Sequence, residues 1–280
     1  MPPRPRRSAL YLPASNARAI AKAQTLDADM VILDLEDAVA PEAKADARAA
    51  AAAAVREGGF GRRELIVRIN ALTTEWGIAD LRAIAAAEPD GILVPKVDSP
   101  HALADVRSLM GTATPLWAMV ETCACLPVLH AIAGVTGLGG LVMGTNDLAL
   151  EMRARLLPGR APFLPVLTAA VAAARAHGAA VLDGVCNDFT DLDRFRAECE
   201  QGRDFGFDGK TVIHPAQIAP CNAVFGPSTE ELAWADAVIA AFDQPENADK
   251  GAVRVDGRMV ERLHLEEALR LRALAGVTAA

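Results

Sequence analysis

The chain has 280 residues, 52% hydrophobic and 4% aromatic, which is enough for one large core and excludes a disordered tail, a collagen-like chain or a disulfide-stapled miniature. Lys+Arg 28 against Asp+Glu 36 leaves a net charge of −8, so neither nucleic acid nor an anionic membrane is expected as the main partner. An anionic substrate then needs a local basic patch.

The opening MPPRPRRSALYLPAS is basic, with no apolar run of signal-peptide length behind it, and no run of about 18 apolar residues follows. A soluble, cytoplasmic chain is expected. Residues 1–26 contain Arg4, Arg6, Arg7, Arg18 and Lys22 and no acid, a positive stretch in an acidic chain. Short apolar runs rich in β-branched residues then recur eight times: SALYL (8–12), MVILDL (30–35), LIVRI (65–69), GILVPKV (91–97), LWAMV (116–120), GLVMG (140–144), AAVLDGV (179–185) and TVIHP (211–215). The intervening Ala-rich spacing predicts helices over 41–56, 76–87, 99–109, 163–177 and 190–201. Pro41, Ser99-Pro100 and Thr190 with Asp193 supply start signals for three of them.

Continuous apolar strands alternating with helices indicate a parallel sheet covered on both faces, and eight of them indicate a (β/α)8 TIM barrel. The length suits such a barrel, and the absence of a GxGxxG or P-loop weighs against a doubly wound open sheet. After His214-Pro215 the texture changes. Residues 228–243 and 257–275 read as two helices joined by the polar connector QPENADKGAVRVD. The expected division is a barrel over 1–225 and a C-terminal helical extension over 226–280 that packs on the barrel or on a neighbouring subunit. The five cysteines are scattered, with no CxxC pair, and suggest neither a disulfide framework nor a zinc ribbon.

Ligands of a parallel barrel gather at the carboxyl ends of its strands. Asp34, Glu36 and Asp37 end the second strand, Arg68 and Asn70 the third, Lys96 the fourth, Glu121 the fifth, Asn146 and Asp147 the sixth, Asp183 the seventh and His214 the eighth. Glu121 and Asp147, from adjacent strands, converge on one space. Like charges about 4 Å apart repel by roughly 4 kcal/mol at an effective dielectric near 20, which calls for a shared proton, a nearby cation such as Arg68, or a divalent metal. An all-oxygen set points to Mg²⁺ or Mn²⁺. The competing assignment is that one of the pair caps a helix.

RSALYLPAS, MVILDLEDAVAP, VRIN, GILVPKV, MVET, VMGTNDLALEM and GFDGKTVIHPAQI, in this order, resemble the citrate lyase β-subunit-like branch of the HpcH/HpaI aldolase superfamily, which includes malyl-CoA and citramalyl-CoA lyases. The resemblance implies a (β/α)8 barrel, Mg²⁺, and cleavage or formation of a carbon–carbon bond beside a CoA thioester, yielding an acyl-CoA and a 2-oxo acid. It implies Glu121 and Asp147 as metal ligands, with Glu121 also at the substrate, and Arg68 as the grip on the 2-oxo acid carboxylate. By similarity to the related malate synthase motif, Glu36 orients water at the metal or pairs with Arg68. Asp37 stands where CoA-independent relatives carry histidine, which favours the CoA branch; Asp34 and Asp37 are otherwise read as hydrogen-bonding groups at the strand end. Tyr11, Arg7 and Lys22 are expected to contact CoA, while Asn16 replaces an arginine of some relatives. Gly257-Arg258-Met259-Val260-Glu261 matches a motif that ends in Asp, supplied to the site by a neighbouring subunit. Glu261 keeps the carboxylate but moves it by about one methylene, enough to alter substrate choice or weaken lyase activity. A homotrimer or hexamer is implied. The alternatives are a citrate lyase subunit acting on an acyl-carrier-protein thioester, and a noncatalytic CoA or 2-oxo-acid binding protein. His101, His130, His177 and His264 need no function, and His214 is expected to order the site.

Overall fold

In the structure, a computed structural model describing residues 4–247 and 249–278, the chain divides into two compact units. Residues 6–222 form a closed barrel of eight parallel strands paired in sequence order. They are β1 (Ser8–Pro13), β2 (Met30–Asp34), β3 (Glu64–Arg68), β4 (Gly91–Val94), β5 (Leu116–Val120), β6 (Leu138–Met143), β7 (Ala180–Asp183) and β8 (Gly209–Val212). Each overlaps an expected apolar run, β6 and β8 beginning two residues earlier than expected, and β8 pairs with β1 to close the sheet. Around it run α1 (Ala17–Ala23), α2 (Lys44–Glu57), α3 (Gly77–Ala85), α4 (Pro100–Met110), α5 (Leu129–Ala133), α6 (Thr145–Met152), α7 (Leu164–His177) and α8 (Leu192–Phe205), and α9 (Ile218–Phe225) follows β8. The cap of α8 is Asp191, whose side chain accepts from the Arg194 N–H, and not the expected Thr190. Among the described residues no helix is long and apolar enough to cross a membrane.

Alternate residues point into the barrel. Ala9, Met30, Ile32, Ile66, Leu93, Trp117, Met119, Val142, Ala180 and Leu182 fill its interior, and Tyr11 packs on them. The opposite parity, including Leu10, Val31, Val67, Ile92 and Leu141, is equally buried under the helices, which is why the strands read as unbroken apolar runs. Trp117 occupies much of the floor. A Cβ on Gly140 would lie 2.4 Å from its ring and one on Gly91 2.8 Å, so glycine at these two positions makes room for the indole.

The second unit comprises residues 223–278 for the most part. Here the end of the expected polar connector and the start of the helix expected over 257–275 form an antiparallel hairpin, β9 (Ala252–Val255) and β10 (Arg258–Glu261), and the helix itself begins at Arg262. Asp256 and Gly257 form its turn with positive φ (46° and 80°), the backbone a two-residue hairpin turn requires. Alternation in AVRV and RMVE puts Val253, Val255 and Val260 against α10 (Thr229–Phe242) and α11 (Arg262–Thr278), in a core with Ala235, Val238, Phe242 and Ala268. Ser228 caps α10 reciprocally with Glu231.

Candidate active site

The inward parity of the barrel continues past its apolar layers. Asp34 follows Ile32, Arg68 follows Ile66, and Glu121 follows Met119, so the residues that end these strands form a charged layer at the carboxyl mouth. Arg68 is 8% exposed and donates from Nε and Nη2 to the two oxygens of Asp34, both at 2.7 Å. Its Nη1 lies 3.0 Å from Glu36 Oε2 and 3.4 Å from Asp37, and its guanidinium stacks 5.1 Å from the centre of the Tyr11 ring. The Nε–Nη2 edge of the fork is therefore locked by Asp34, and Nη1 is ion-paired with Glu36 and Asp37.

Glu36 is held by the loop after β2. Asp34 accepts the Glu36 and Ala38 N–H groups, and the Lys44 ammonium of α2 donates to the carbonyls of Leu35 and Glu36 and to Asn70. The Glu36 carboxyl is 9% exposed, and its Oε2 is buried without a hydrogen bond, since the nearby Arg68 Nη1 is misaligned with it. Burial pushes this carboxyl up to about 8; Arg68 opposes the shift, and Glu121 and Asp37 add to it.

Glu121 is 1% exposed. Its Oε1 accepts the Lys96 N–H at 2.6 Å, while Oε2 is buried without a hydrogen-bond partner. Burial raises this carboxyl above the usual range, against the pull of Lys96. The chain can pass this close only because residue 144 is glycine: a Cβ there would lie 2.4 Å from Glu121 Cβ and 2.7 Å from Oε2. Asp147, in the first turn of α6, makes no cap; its carboxylate takes the Lys96 ammonium, whose Nζ is also 3.7 Å from Glu121 Oε1. The helix-cap assignment thus fails for Asp147, and the two carboxylates share one cationic side chain.

Among the described residues, Asp34, Glu36, Asp37, Glu121 and Asp147 pair with Arg68 and Lys96, with Lys44 behind the loop. Acids outnumber the basic groups paired with them, and Glu121 Oε2 is buried without a hydrogen-bond partner. Hard, oxygen-only and built on two carboxylates, the set suits a divalent cation that keeps most of its positions for water or substrate. Among the described residues no group of three or more His, Cys, Asp or Glu forms a closed metal cage.

Several expected residues lie elsewhere. Asn70 is tied to Asp80, Leu35 and Lys44 beneath α2 and α3. Asp183 has the outward parity of β7 and is buried on the helix side with Arg160 and Lys210. Arg7 precedes β1, at the amino end of the barrel, where Asp29 takes Nε and Nη2 at 2.7 and 2.9 Å; Arg6 likewise grips Glu64. The acid-free N-terminal stretch is therefore partly neutralised by acids from later strands, and Arg7 locks the fold at the end opposite the charged mouth, a correction to its expected place beside CoA. Tyr11 lies inside the barrel under Arg68, its hydroxyl against Met119 Sδ at 3.5 Å. Lys22 is exposed in the last turn of α1, and Asn16 caps that helix. His214 caps the turn after β8 through Nδ1 and stacks on Phe189. Glu261 ends β10 in the second unit, its N–H donating to His264 Nδ1. Sequence reasoning missed the tethering role of Lys44 and underrated Asp34; the spacing Asp34, Arg68, both at inward positions of paired strands, was the available signal.

The mouth of this parallel barrel thus carries a clamped arginine beside a carboxylate pair with one unpartnered oxygen. The family model described as HpcH/HpaI aldolase/citrate lyase matches residues 7–215, and the chain belongs to that family. It is 49% identical over 276 residues to (3S)-malyl-CoA thioesterase of Cereibacter sphaeroides, covering 99% of this chain and 96% of that one. Mitochondrial citramalyl-CoA lyase of Rattus norvegicus is 31% identical, covering 97% of this chain and 86% of the relative. Among solved structures, CitE from Mycobacterium tuberculosis in complex with magnesium, acetoacetate and coenzyme A is 31% identical with a TM-score of 0.78, covering 96% of this chain and 97% of that one.

Proposed function

We propose that this chain acts on the CoA thioester of a 3-hydroxy dicarboxylic acid of the malyl-CoA kind, with Mg²⁺ or Mn²⁺ held by Glu121 and Asp147, and that it hydrolyses the thioester. The observation that carries the metal is the buried, unpartnered Glu121 Oε2 in a mouth where five carboxylates pair with Arg68 and Lys96, and the substrate class rests on the similarity to the malyl-CoA thioesterase. An anion enters such a site only together with a cation. The magnesium and coenzyme A bound by the similar CitE support this reading, and the 49% identity to a malyl-CoA thioesterase supports hydrolysis.

A divalent ion held by Glu121 and Asp147 would supply Lewis-acid polarisation of a bound carbonyl. The free carboxylate of the substrate takes Nη1 of Arg68 in place of Glu36 and Asp37, while Asp34 holds the other edge of the guanidinium. Once ionised, Glu36 accepts a proton from the water that adds to the thioester carbon, and its burial beside other acids gives it a high proton affinity for that role. The C–S bond then breaks, the proton passes to the departing sulfur, and the hydroxy diacid leaves with free CoA. Arg18, exposed in the first turn of α1 at the carboxyl end of β1, offers a positive group for CoA phosphates.

A second reading is retro-aldol cleavage to an acyl-CoA and a 2-oxo acid, supported by the 31% identity to citramalyl-CoA lyase. The same Arg68, Glu121 and Asp147 serve it, with Glu261 as acid or base contributed within an oligomer. Incubating the purified chain with Mg²⁺ and malyl-CoA or citramalyl-CoA separates these. Free thiol without 2-oxo acid supports hydrolysis; 2-oxo acid without thiol establishes cleavage instead. No turnover of either ester overturns both, and leaves the acyl-carrier-protein and noncatalytic alternatives.

A further inference from the structure

We propose that Lys96 is the built-in counter-ion of the Glu121–Asp147 pair in the metal-free chain, and that its ammonium must leave Asp147 for a divalent cation to load. The inference rests on the reading that this pair holds the cation. Lys96 lies two residues beyond β4 with φ of 51°, a left-handed conformation that a lysine adopts only at a cost in strain. That turn does two things at once. It aims the Lys96 N–H at Glu121 Oε1, 2.6 Å away, and it lets the four-carbon stem fold back so that Nζ pairs with Asp147 and lies 3.7 Å from Glu121.

A single ammonium thus spans the two carboxylates. It does so incompletely, because Glu121 Oε2 keeps no donor. A divalent cation on the same two groups would lie within a few ångströms of Nζ, where like charges repel, so the two occupants exclude one another. The Lys96 side chain is 38% exposed and its stem is flexible, so the ammonium has a route outward while the backbone N–H stays on Glu121. Lys96 is therefore a positioning residue with two separable parts: an N–H that orients Glu121 throughout, and a charge that balances the two carboxylates and sets how much cation is needed to displace it.

The test compares the full-length wild type with Lys96→Met, Lys96→Gly and Lys96→Arg by calorimetric titration with Mg²⁺ and by thermal melting in chelator and in saturating Mg²⁺. Both neutral variants are expected to bind Mg²⁺ about fivefold tighter, the scale of a half-exposed ion pair. Both should gain more from Mg²⁺ in melting than wild type does. Glycine accepts the positive φ, so Lys96→Gly keeps the comparison open if the methionine variant folds poorly. Lys96→Arg should return the affinity toward wild type. Loss of a merely structural lysine cannot tighten metal binding. Unchanged or weaker Mg²⁺ affinity in both neutral variants, with wild type binding normally, overturns this inference alone; no binding by wild type overturns it together with the metal reading.

Discussion

Asp34 accepts two 2.7 Å hydrogen bonds from Arg68 and, through the same two oxygens, the N–H groups of Glu36 and Ala38. One buried carboxylate thereby aims the arginine and shapes the loop that carries Glu36. Asp34→Asn keeps one acceptor and sets an amide N–H against the guanidinium. Breaking this buried pair is expected to destabilise the chain by about 3 kcal/mol in urea unfolding. Because Arg68 loses its locked edge, kcat/KM for malyl-CoA should fall about 100-fold. A thioester without the distal carboxylate should suffer far less; an equal loss on both substrates would sink the clamp role.

Gly144 touches Glu121 more closely than any side chain could. Gly144→Ala places a methyl 2.4 Å from Glu121 Cβ and 2.7 Å from Oε2, so the carboxylate must move. Over-packing of this kind costs about 1–3 kcal/mol. Mg²⁺ affinity measured by calorimetry is expected to drop at least about tenfold, because one of the two proposed protein ligands is displaced. Wild-type affinity in a folded Gly144→Ala chain would remove Glu121 from the metal site.

The barrel was legible because every strand is buried on both faces, and unbroken runs such as MVILD and LWAMV have few other uses. The charged mouth was legible too, since strand ends are where a barrel gathers polar groups. Parity was the part that needed the structure. Asp34 and Asp183 both end apolar strands, yet Asp34 continues the inward set of Ile32, whereas Asp183 follows inward Leu182 and so faces the helices. In the tail, the apolar content of RMVE and RLHLEEAL merged into one apparent helix, and the Asp256-Gly257 turn signal between two alternating segments went unread. Lys44 and Lys96 act through carbonyls and through a left-handed turn, neither of which leaves a pattern in side-chain types.

The outward-facing cluster gives a contrast to the site. Lys210 and Asp183 are fully buried 2.9 Å apart, with Arg160 2.7 Å from Asp183 and Glu198 3.5 Å from Lys210. The two basic groups hold Asp183 below the usual carboxylate range despite its burial. Lys210→Met leaves buried acids short of one partner and is expected to cost about 3–5 kcal/mol in stability. KM for malyl-CoA and Mg²⁺ affinity should stay within about twofold of wild type at a temperature where the variant is folded. A large change in either would move Asp183 back into the active site.

Glu36 gives the metal-free chain a characteristic pH dependence. Its carboxyl ionises near 8 in the folded chain against an ordinary value of 4.5, so the folded state holds a proton that the unfolded state has released. The resulting stabilisation is fully present below about pH 4.5 and is lost as pH rises through about 8. With the carboxyl nearly buried, the loss is on the order of 4 kcal/mol across that window. Glu36→Gln cannot ionise and lacks this contribution. Urea unfolding in chelator at about pH 5, 6, 7 and 8 should show the variant gaining on wild type steadily, ending the more stable of the two relative to their order at pH 5. Parallel profiles for the two proteins would mean that Glu36 ionises as an ordinary carboxyl and cannot be the group that exchanges a proton near neutrality.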